Sequence, residues 1–79
     1  MNETIHARLT DVFRDVFDDD ALVVDPDMTA ADVPGWDSLM HVRLMLSVER
    51  AFAIRLTASD IGRLKSVGDL MALIARKTT

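Results

Sequence analysis

The sequence predicts a small all-α domain, a four-helix bundle of three main helices and one short helix, with a long loop between the first two main helices. Two observations predict this fold. Apolar residues recur at helical spacing in three separate segments, and no apolar stretch shows the alternation expected of a strand. With 79 residues, 49% of them hydrophobic, the chain is expected to fold as one domain over residues 1–79.

A first amphipathic helix is predicted before residue 18. Its apolar stripe consists of Ile5, Leu9, Val12, Phe13, Val16 and Phe17. Steps of three and four residues place these side chains on one helical face. The aspartates at 18–20 end the helix, because aspartate is a poor helix former and is repelled by the negative end of the helix dipole.

A long loop is expected over residues 19–37. Pro26, Pro34 and Gly35 prevent a continuous helix there, and the apolar segment 21–24 is expected to lie against the core. A connection of this length is uncommon in so small a domain and is often functional. Trp36 is expected to pack the end of the loop onto the next helix.

The second helix is predicted over residues 37–52 and is apolar around most of its circumference. The side expected to face the core holds Leu44, Met45, Val48 and Phe52. A second apolar strip consists of Leu39, Val42 and Leu46. A helix with this pattern is either central in the bundle or presents its outer strip to a partner.

Residues that favour helix caps predict the last two helices. The segment 57–60 reads Thr-Ala-Ser-Asp and is expected to open a short helix that reaches Leu64. Ser66 and Asp69 have the spacing of a capping box at the start of the last helix. Its buried stripe is expected to consist of Val67, Leu70, Met71 and Ile74.

Composition and charge exclude several classes of protein. The sequence contains no cysteine, which excludes disulfides, thiolate metal sites and a cysteine nucleophile. It shows neither the layout of a signal peptide nor an apolar run long enough for a membrane span, so we expect a cytoplasmic protein, and we expect a monomer. Residues 1–37 hold ten acidic and two basic side chains, whereas residues 38–79 hold three acidic and seven basic ones. This asymmetry indicates either attraction between the two halves or a charged partner.

Ser38 is the candidate site residue, because it follows the expected cap Asp37 in the first turn of the second helix. A nucleophile elbow would require glycine at the positions of Trp36 and Met40. The nearest potential base, His41, is expected to lean toward the core. We therefore assign no catalytic residue and expect no enzymatic activity.

A metal site is not expected either. Asp25, Asp27 and Thr29 imitate the start of a calcium-binding loop. However, Ala30 and Trp36 stand where such a loop needs glycine and glutamate. A solvated acidic loop is the preferred interpretation.

A serine in the first turn of a helix suits a phosphate ester. Its hydroxyl lies among backbone N–H groups that lack helical partners, at the positive end of the helix dipole. A phosphate attached there would be stabilised. Taken alone, the tripeptide at 37–39 is more consistent with an ordinary first-turn serine.

The whole chain resembles the acyl carrier protein family. The resemblance rests on Gly-x-Asp-Ser-Leu at 35–39 opening an apolar helix, on the acidic first helix and long loop before it, and on the short helix and Ser66-Val67 after it. It implies that a phosphopantetheinyl transferase attaches 4′-phosphopantetheine to Ser38, where Asp37 caps the helix and Leu39 anchors it. It further implies that the thiol of this arm carries acyl groups as thioesters, loaded by an acyl-carrier synthetase or an acyltransferase.

One departure from the family concerns the charge of the second helix. Carriers of bacterial fatty-acid synthesis have an acidic second helix, whereas this one holds Arg43 and Arg50 and, after its cap, Glu49 as its only acid. We therefore expect a specialised carrier for a lipid or secondary-metabolite pathway, with a dedicated partner whose surface is less basic or more apolar. The candidate partner contacts are Met40, Val42, Arg43, Leu46 and Leu56.

The cargo is left open, since fatty, polyketide, aminoacyl and dicarboxylic groups all travel on similar carriers. If the bundle shelters an acyl chain, Met45, Leu46 and Met71 are candidate lining residues, although plain core packing is the preferred explanation for them. The alternative function is a cofactor-free helical module that binds protein or nucleic acid. Nucleic acid is not expected, because the chain is acidic overall and no helix presents a run of side chains suited to base edges.

Overall fold

The computed structural model describes residues 2–78, and within them every regular element is helical. Four α-helices occur: α1 (Asn2–Phe17), α2 (Ser38–Phe52), α3 (Ala58–Gly62) and α4 (Val67–Lys77). The predicted bundle of three main helices and one short helix is confirmed. The short helix α3 ends at Gly62 rather than at the predicted Leu64.

The core forms where α1, α2 and α4 meet. Its fully enclosed side chains include Leu9 and Phe13 of α1, Leu44 and Val48 of α2, and Ile74 of α4. The predicted core face of α2 is confirmed, since all four of its members are buried. Periodicity predicted this face correctly because α2 packs against its neighbours along one side only.

The segment between α1 and α2 is held by hydrogen bonds rather than by strands. Ala30–Asp32 forms a short 3₁₀ helix, which the sequence analysis did not predict. Its cause is local: Thr29 and Asp32 cap each other reciprocally, and the Thr29 backbone N–H donates to the Asp32 carboxylate at 2.9 Å. Only part of the predicted apolar segment 21–24 reaches the core, because Val24 is buried whereas Val23 is 58% exposed.

The same segment closes the start of α4. The backbone N–H groups of Val67 and Gly68 donate to the carbonyl oxygens of Met28 and Pro26, each at 2.8 Å. These donors belong to the first turn of α4 and have no helical partner of their own. The loop therefore supplies carbonyl acceptors that complete the last helix.

The end of α2 is tied through a side chain to the segment that leads into α3. Ala53 terminates α2 in the left-handed conformation, with φ of 55°. The Glu49 carboxylate then accepts a hydrogen bond of 2.8 Å from the backbone N–H of Leu56. Further along, Asp60 of α3 pairs with Lys77 of α4 at 3.1 Å, so α3 is joined to both of its neighbours.

Candidate functional site

Ser38 is the first residue of α2, and its side chain is exposed. Asp37 is the N-cap, as predicted, and its Oδ1 accepts a hydrogen bond of 2.9 Å from the Met40 backbone N–H. Within residues 2–78, the hydroxyl of Ser38 has no hydrogen-bond partner. The serine therefore stands at the positive end of a capped helix with its oxygen accessible.

A left-handed glycine turns the chain into α2. Gly35 has φ of 85°, a conformation that residues with a Cβ adopt rarely. Its carbonyl oxygen accepts a hydrogen bond of 3.0 Å from the Asp37 backbone N–H. The glycine of the Gly-x-Asp-Ser-Leu stretch thus has a backbone role in presenting the serine.

Trp36 fixes the end of the loop on two helices. Its ring meets Phe13 of α1 edge-on, with centroids 5.4 Å apart, and lies 6.1 Å from the ring of Phe17. Its indole Nε1–H donates a hydrogen bond of 3.1 Å to Nδ1 of His41 on α2. The expectation that Trp36 packs the loop is confirmed, and this packing joins the end of the loop to both α1 and α2.

A cavity of about 410 Å³ opens beside Ser38. It is lined by Ala30, Trp36, Asp37, Ser38, His41, Met45, Leu64, Lys65, Ser66 and Leu70. Its volume falls within the range of about 300–1,000 Å³ that small-molecule pockets occupy. Most of the wall is apolar, and polar side chains lie near Ser38, so the cavity suits a ligand that is attached at one end.

The structure separates the three predicted lining residues. Met45 lines this cavity, but Leu46 and Met71 do not. Consecutive residues on a helix point about 100° apart, so Met45 and Leu46 cannot face the same space. Leu46 is 50% exposed and borders a second depression on the outer side of α2, whereas Met71 packs against the core.

Leu39 does not anchor the helix, and this part of the interpretation is wrong. Its side chain is 70% exposed, because it lies on the outer side of α2 with Val42 and Leu46. The residue that holds the start of the helix in place is Trp36, which the sequence analysis named only as a packing residue.

The five predicted partner contacts are not equally accessible. Val42, Arg43 and Leu46 are exposed on α2, and Met40 is half-buried. Leu56 is also half-buried, and it packs against the core beside its hydrogen bond to Glu49. Val42 and Leu46 thus lie on the outer strip of α2 with Arg43 exposed as well, whereas Leu56 is partly covered by the core.

The two histidines have separate structural roles, and within the described chain neither is hydrogen-bonded to Ser38. His6 donates from Nε2 to the carbonyl oxygen of Val24 at 2.6 Å. His41 is half-buried and lines the cavity rather than lying in the core. His41, Leu64 and Lys65 also line the site and were not predicted, because nothing in the local sequence pattern shows that the α3–α4 loop meets the start of α2.

An all-helical bundle with an accessible serine at a capped helix start and a cavity beside it defines a carrier-type domain. Residues 7–74 match the family described as "Phosphopantetheine attachment site". The chain belongs to this family, and two proteins similar to it are acyl carrier proteins. One is the acyl carrier protein MbtL of Mycolicibacterium paratuberculosis (strain ATCC BAA-968 / K-10), which is 32% identical over 71 residues, 90% of this chain and 80% of that protein.

A solved structure of an acyl carrier protein is also similar to this chain. The solution NMR structure of a holo acyl carrier protein from Geobacter metallireducens superposes with a TM-score of 0.85 at 42% identity, covering 94% of this chain and 84% of that one. Acyl carrier proteins hold acyl groups on a covalent 4′-phosphopantetheine and are carriers rather than enzymes. They are served by a phosphopantetheinyl transferase and by acyl-handling enzymes.

The residues at the start of α2 fit this cofactor. The Ser38 hydroxyl is accessible, the backbone N–H groups of the first turn favour a phosphate, and the adjoining cavity is mostly apolar. Among residues 2–78, no helix has both the length and the apolar character needed to span a membrane.

Proposed function

We propose that Ser38 is the residue that carries the 4′-phosphopantetheine, with Asp37 and Leu39 flanking it for recognition by the phosphopantetheinyl transferase. The observation that supports this most directly is the accessible Ser38 hydroxyl, which has no hydrogen-bond partner in residues 2–78, at the capped start of α2. Asp37 already satisfies the Met40 N–H. The preceding N–H groups of the first turn remain available to a phosphate oxygen.

The thiol at the end of the arm holds acyl groups as thioesters and delivers them to partner enzymes. Because the cofactor supplies the reactive group, the protein needs neither a base nor a cysteine near Ser38. The cavity beside Ser38 then serves as a shelter for the start of the cargo, with Met45, Leu64 and Leu70 as apolar wall. The chain acts as a single cytoplasmic domain over residues 1–79.

The pathway is a specialised lipid or secondary-metabolite pathway rather than general fatty-acid synthesis. Support comes from the outer strip of α2, where Leu39, Val42 and Leu46 are 70%, 55% and 50% exposed. Arg43 and Arg50 are exposed beside this strip. A partner with a basic docking surface would be repelled there, whereas an apolar or acidic one would be attracted. The dedicated synthetase or transferase is therefore expected to present apolar and acidic side chains.

The test of attachment is the intact mass of the protein after incubation with coenzyme A and a broad-specificity phosphopantetheinyl transferase. Wild type is expected to gain one phosphopantetheine, and Ser38→Ala is expected to gain none. Circular dichroism of both proteins establishes that each is folded. A folded wild type without a mass gain, or a gain that persists in Ser38→Ala, would overturn the assignment.

A further inference from the structure

The hydrogen bond between Trp36 and His41 determines which ring nitrogen of His41 carries the hydrogen. The indole Nε1 is a donor only, and it lies 3.1 Å from Nδ1 of His41. Nδ1 must therefore be the acceptor, so the neutral imidazole has its hydrogen on Nε2. Trp36 acts here as a positioning residue, since its own geometry sets the tautomer of its neighbour.

The Nε2–H group of His41 is left without a hydrogen-bond partner in the part of the chain that the structure describes. His41 is half-buried and lines the cavity beside Ser38 together with Met45, Leu64 and Leu70. Water can satisfy this donor while the cavity is open. An alkyl chain that filled the cavity would remove that water and leave the donor unpaired, which is unfavourable.

We infer that this cavity selects acyl groups that bear an oxygen along the chain, a hydroxyl or keto group, over unsubstituted alkyl groups of the same length. The oxygen would accept a hydrogen bond from Nε2 of His41, and the remaining carbons would contact Met45, Leu64 and Leu70. The inference rests on the proposed attachment at Ser38, because the arm must deliver the cargo to this cavity. It goes further by naming His41 as the residue that determines cargo specificity.

The experiment compares chains of equal length on the same protein. Wild type is loaded from coenzyme A derivatives with octanoyl, or with octanoyl bearing a hydroxyl at carbon 3, 5 or 7, each as a hydrolysis-resistant amide. Intact mass establishes complete loading, and calorimetry measures Tm. At least one hydroxylated chain is expected to raise Tm by about 4–8 °C more than octanoyl, since one hydrogen bond in a domain of this size has an effect of that order.

Variants at two positions assign the effect to His41. His41→Leu is expected to abolish the preference, and His41→Gln, which keeps an N–H donor, is expected to retain part of it. If His41→Leu does not fold, Trp36→Phe provides the second test, because it keeps an aromatic ring but no longer sets the tautomer. Trp36→Phe is expected to weaken the preference.

A spectroscopic measurement separates hydrogen bonding from a general packing effect. In ¹⁵N-labelled wild type, the Nε2–H proton of His41 is expected to exchange more slowly with the hydroxylated cargo than with octanoyl. Octanoyl that stabilises wild type as much as every hydroxylated chain, or a preference that persists in His41→Leu, would overturn the inference while attachment stands. A chain that gains no mass at Ser38 would overturn both.

Discussion

The backbone N–H of Gly68 donates a hydrogen bond of 2.8 Å to the carbonyl oxygen of Pro26, and a Cβ placed on Gly68 would lie 2.9 Å from that same oxygen. The contact joins the first turn of α4 to the loop between α1 and α2. Neither partner can retreat easily, because both atoms are backbone. The close approach therefore explains why a glycine stands inside α4, where alanine has the higher helix propensity.

Gly68→Ala is expected to destabilise the fold by about 1–3 kcal/mol despite that propensity, since the added methyl group forces the loop away from α4. Gly62→Ala is the matched control. No atom lies within 4 Å of a Cβ at Gly62, so this change is expected to stabilise by about 0.5–1 kcal/mol. Urea unfolding of the two variants measures both changes in the free energy of unfolding. If both changes had the same sign, the close contact between Gly68 and Pro26 would not be what sets the effect of a Cβ at Gly68.

The cap at the start of α2 predicts that alanine at position 37 lowers the free energy of unfolding more than alanine at position 38. Asp37→Ala removes the acceptor for the Met40 N–H and is expected to cost about 1 kcal/mol of unfolding free energy. Ser38→Ala should change it by less than about 0.5 kcal/mol, because within the described chain the hydroxyl has no partner to lose. Asp37→Asn, which keeps a capping oxygen, should behave more like wild type. Equal costs for Asp37→Ala and Asp37→Asn would argue against capping.

The junction of α3 with α4 predicts a loss of stability in acid. The Thr57 backbone N–H and the Lys77 ammonium lower the pKa of Asp60 from its ordinary value of 3.8 to about 2. A carboxyl group with a lowered folded-state pKa stabilises the fold above its unfolded pKa, and this contribution is lost as the pH falls. The contribution should therefore be complete above pH 3.8 and disappear as the pH falls through about 2.

Asp60→Asn tests the pH range over which this contribution to stability is lost. Its Tm deficit relative to wild type should be constant from pH 7 to about 4 and should shrink between pH 4 and pH 2, because wild type then loses the same interaction. Lys77→Met removes the ammonium but keeps the Thr57 hydrogen bond. The pKa of Asp60 should then be lowered less, so its contribution to stability should be lost over a narrower pH range. A deficit that does not change down to pH 2 would show that Asp60 acts through its shape rather than its charge.

Two consecutive residues of α2 are expected to respond differently to the same substitution. Met45→Ala should cost about 2–5 kcal/mol, since Met45 is 2% exposed and its loss enlarges the cavity beside Ser38. Leu46→Ala should cost only about 1 kcal/mol or less, because half of Leu46 is already in water. Guanidinium unfolding gives both numbers. A larger loss of unfolding free energy for Leu46→Ala than for Met45→Ala would show that the outer strip is buried rather than exposed.

The basic side of α2 predicts poor recognition by enzymes with basic docking surfaces. The holo protein should be a slow substrate for a malonyl transferase of bacterial fatty-acid synthesis, and Arg43→Glu with Arg50→Glu should raise its kcat/KM by about tenfold at low salt. The gain should fall as salt screens the exposed charges. Arg63→Glu with Arg76→Glu, two exposed residues outside α2, changes the net charge equally and controls for long-range attraction. An equal gain in kcat/KM from both pairs of substitutions would show that net charge, and not the position of the charges on α2, controls recognition.

The site was only partly predictable from the sequence. The cap at Asp37 follows from local chemistry, and the structure agrees with it. The choice of Ser38 as the site came instead from the resemblance of the whole chain to the acyl carrier proteins. The role of Leu39 as an anchor was wrong, because the sequence does not show whether another helix covers the second apolar strip of α2, and Leu39 is 70% exposed. The place of His41 in the site was missed because its partner Trp36 lies in the loop before α2, and helical periodicity says nothing about where a loop residue packs.

The sequence by itself determined where α1 ends, where α2 and α4 begin and which serine opens α2, because helical periodicity and capping act among residues three or four positions apart. It also determined the core face of α2, whose four members are all buried. The tertiary structure alone decided that the second apolar strip of α2 stays exposed, and which residues surround the cavity. That cavity joins His41 of α2 to Leu64 and Leu70, more than twenty positions later, and such contacts arise only when α2, α3 and α4 pack together.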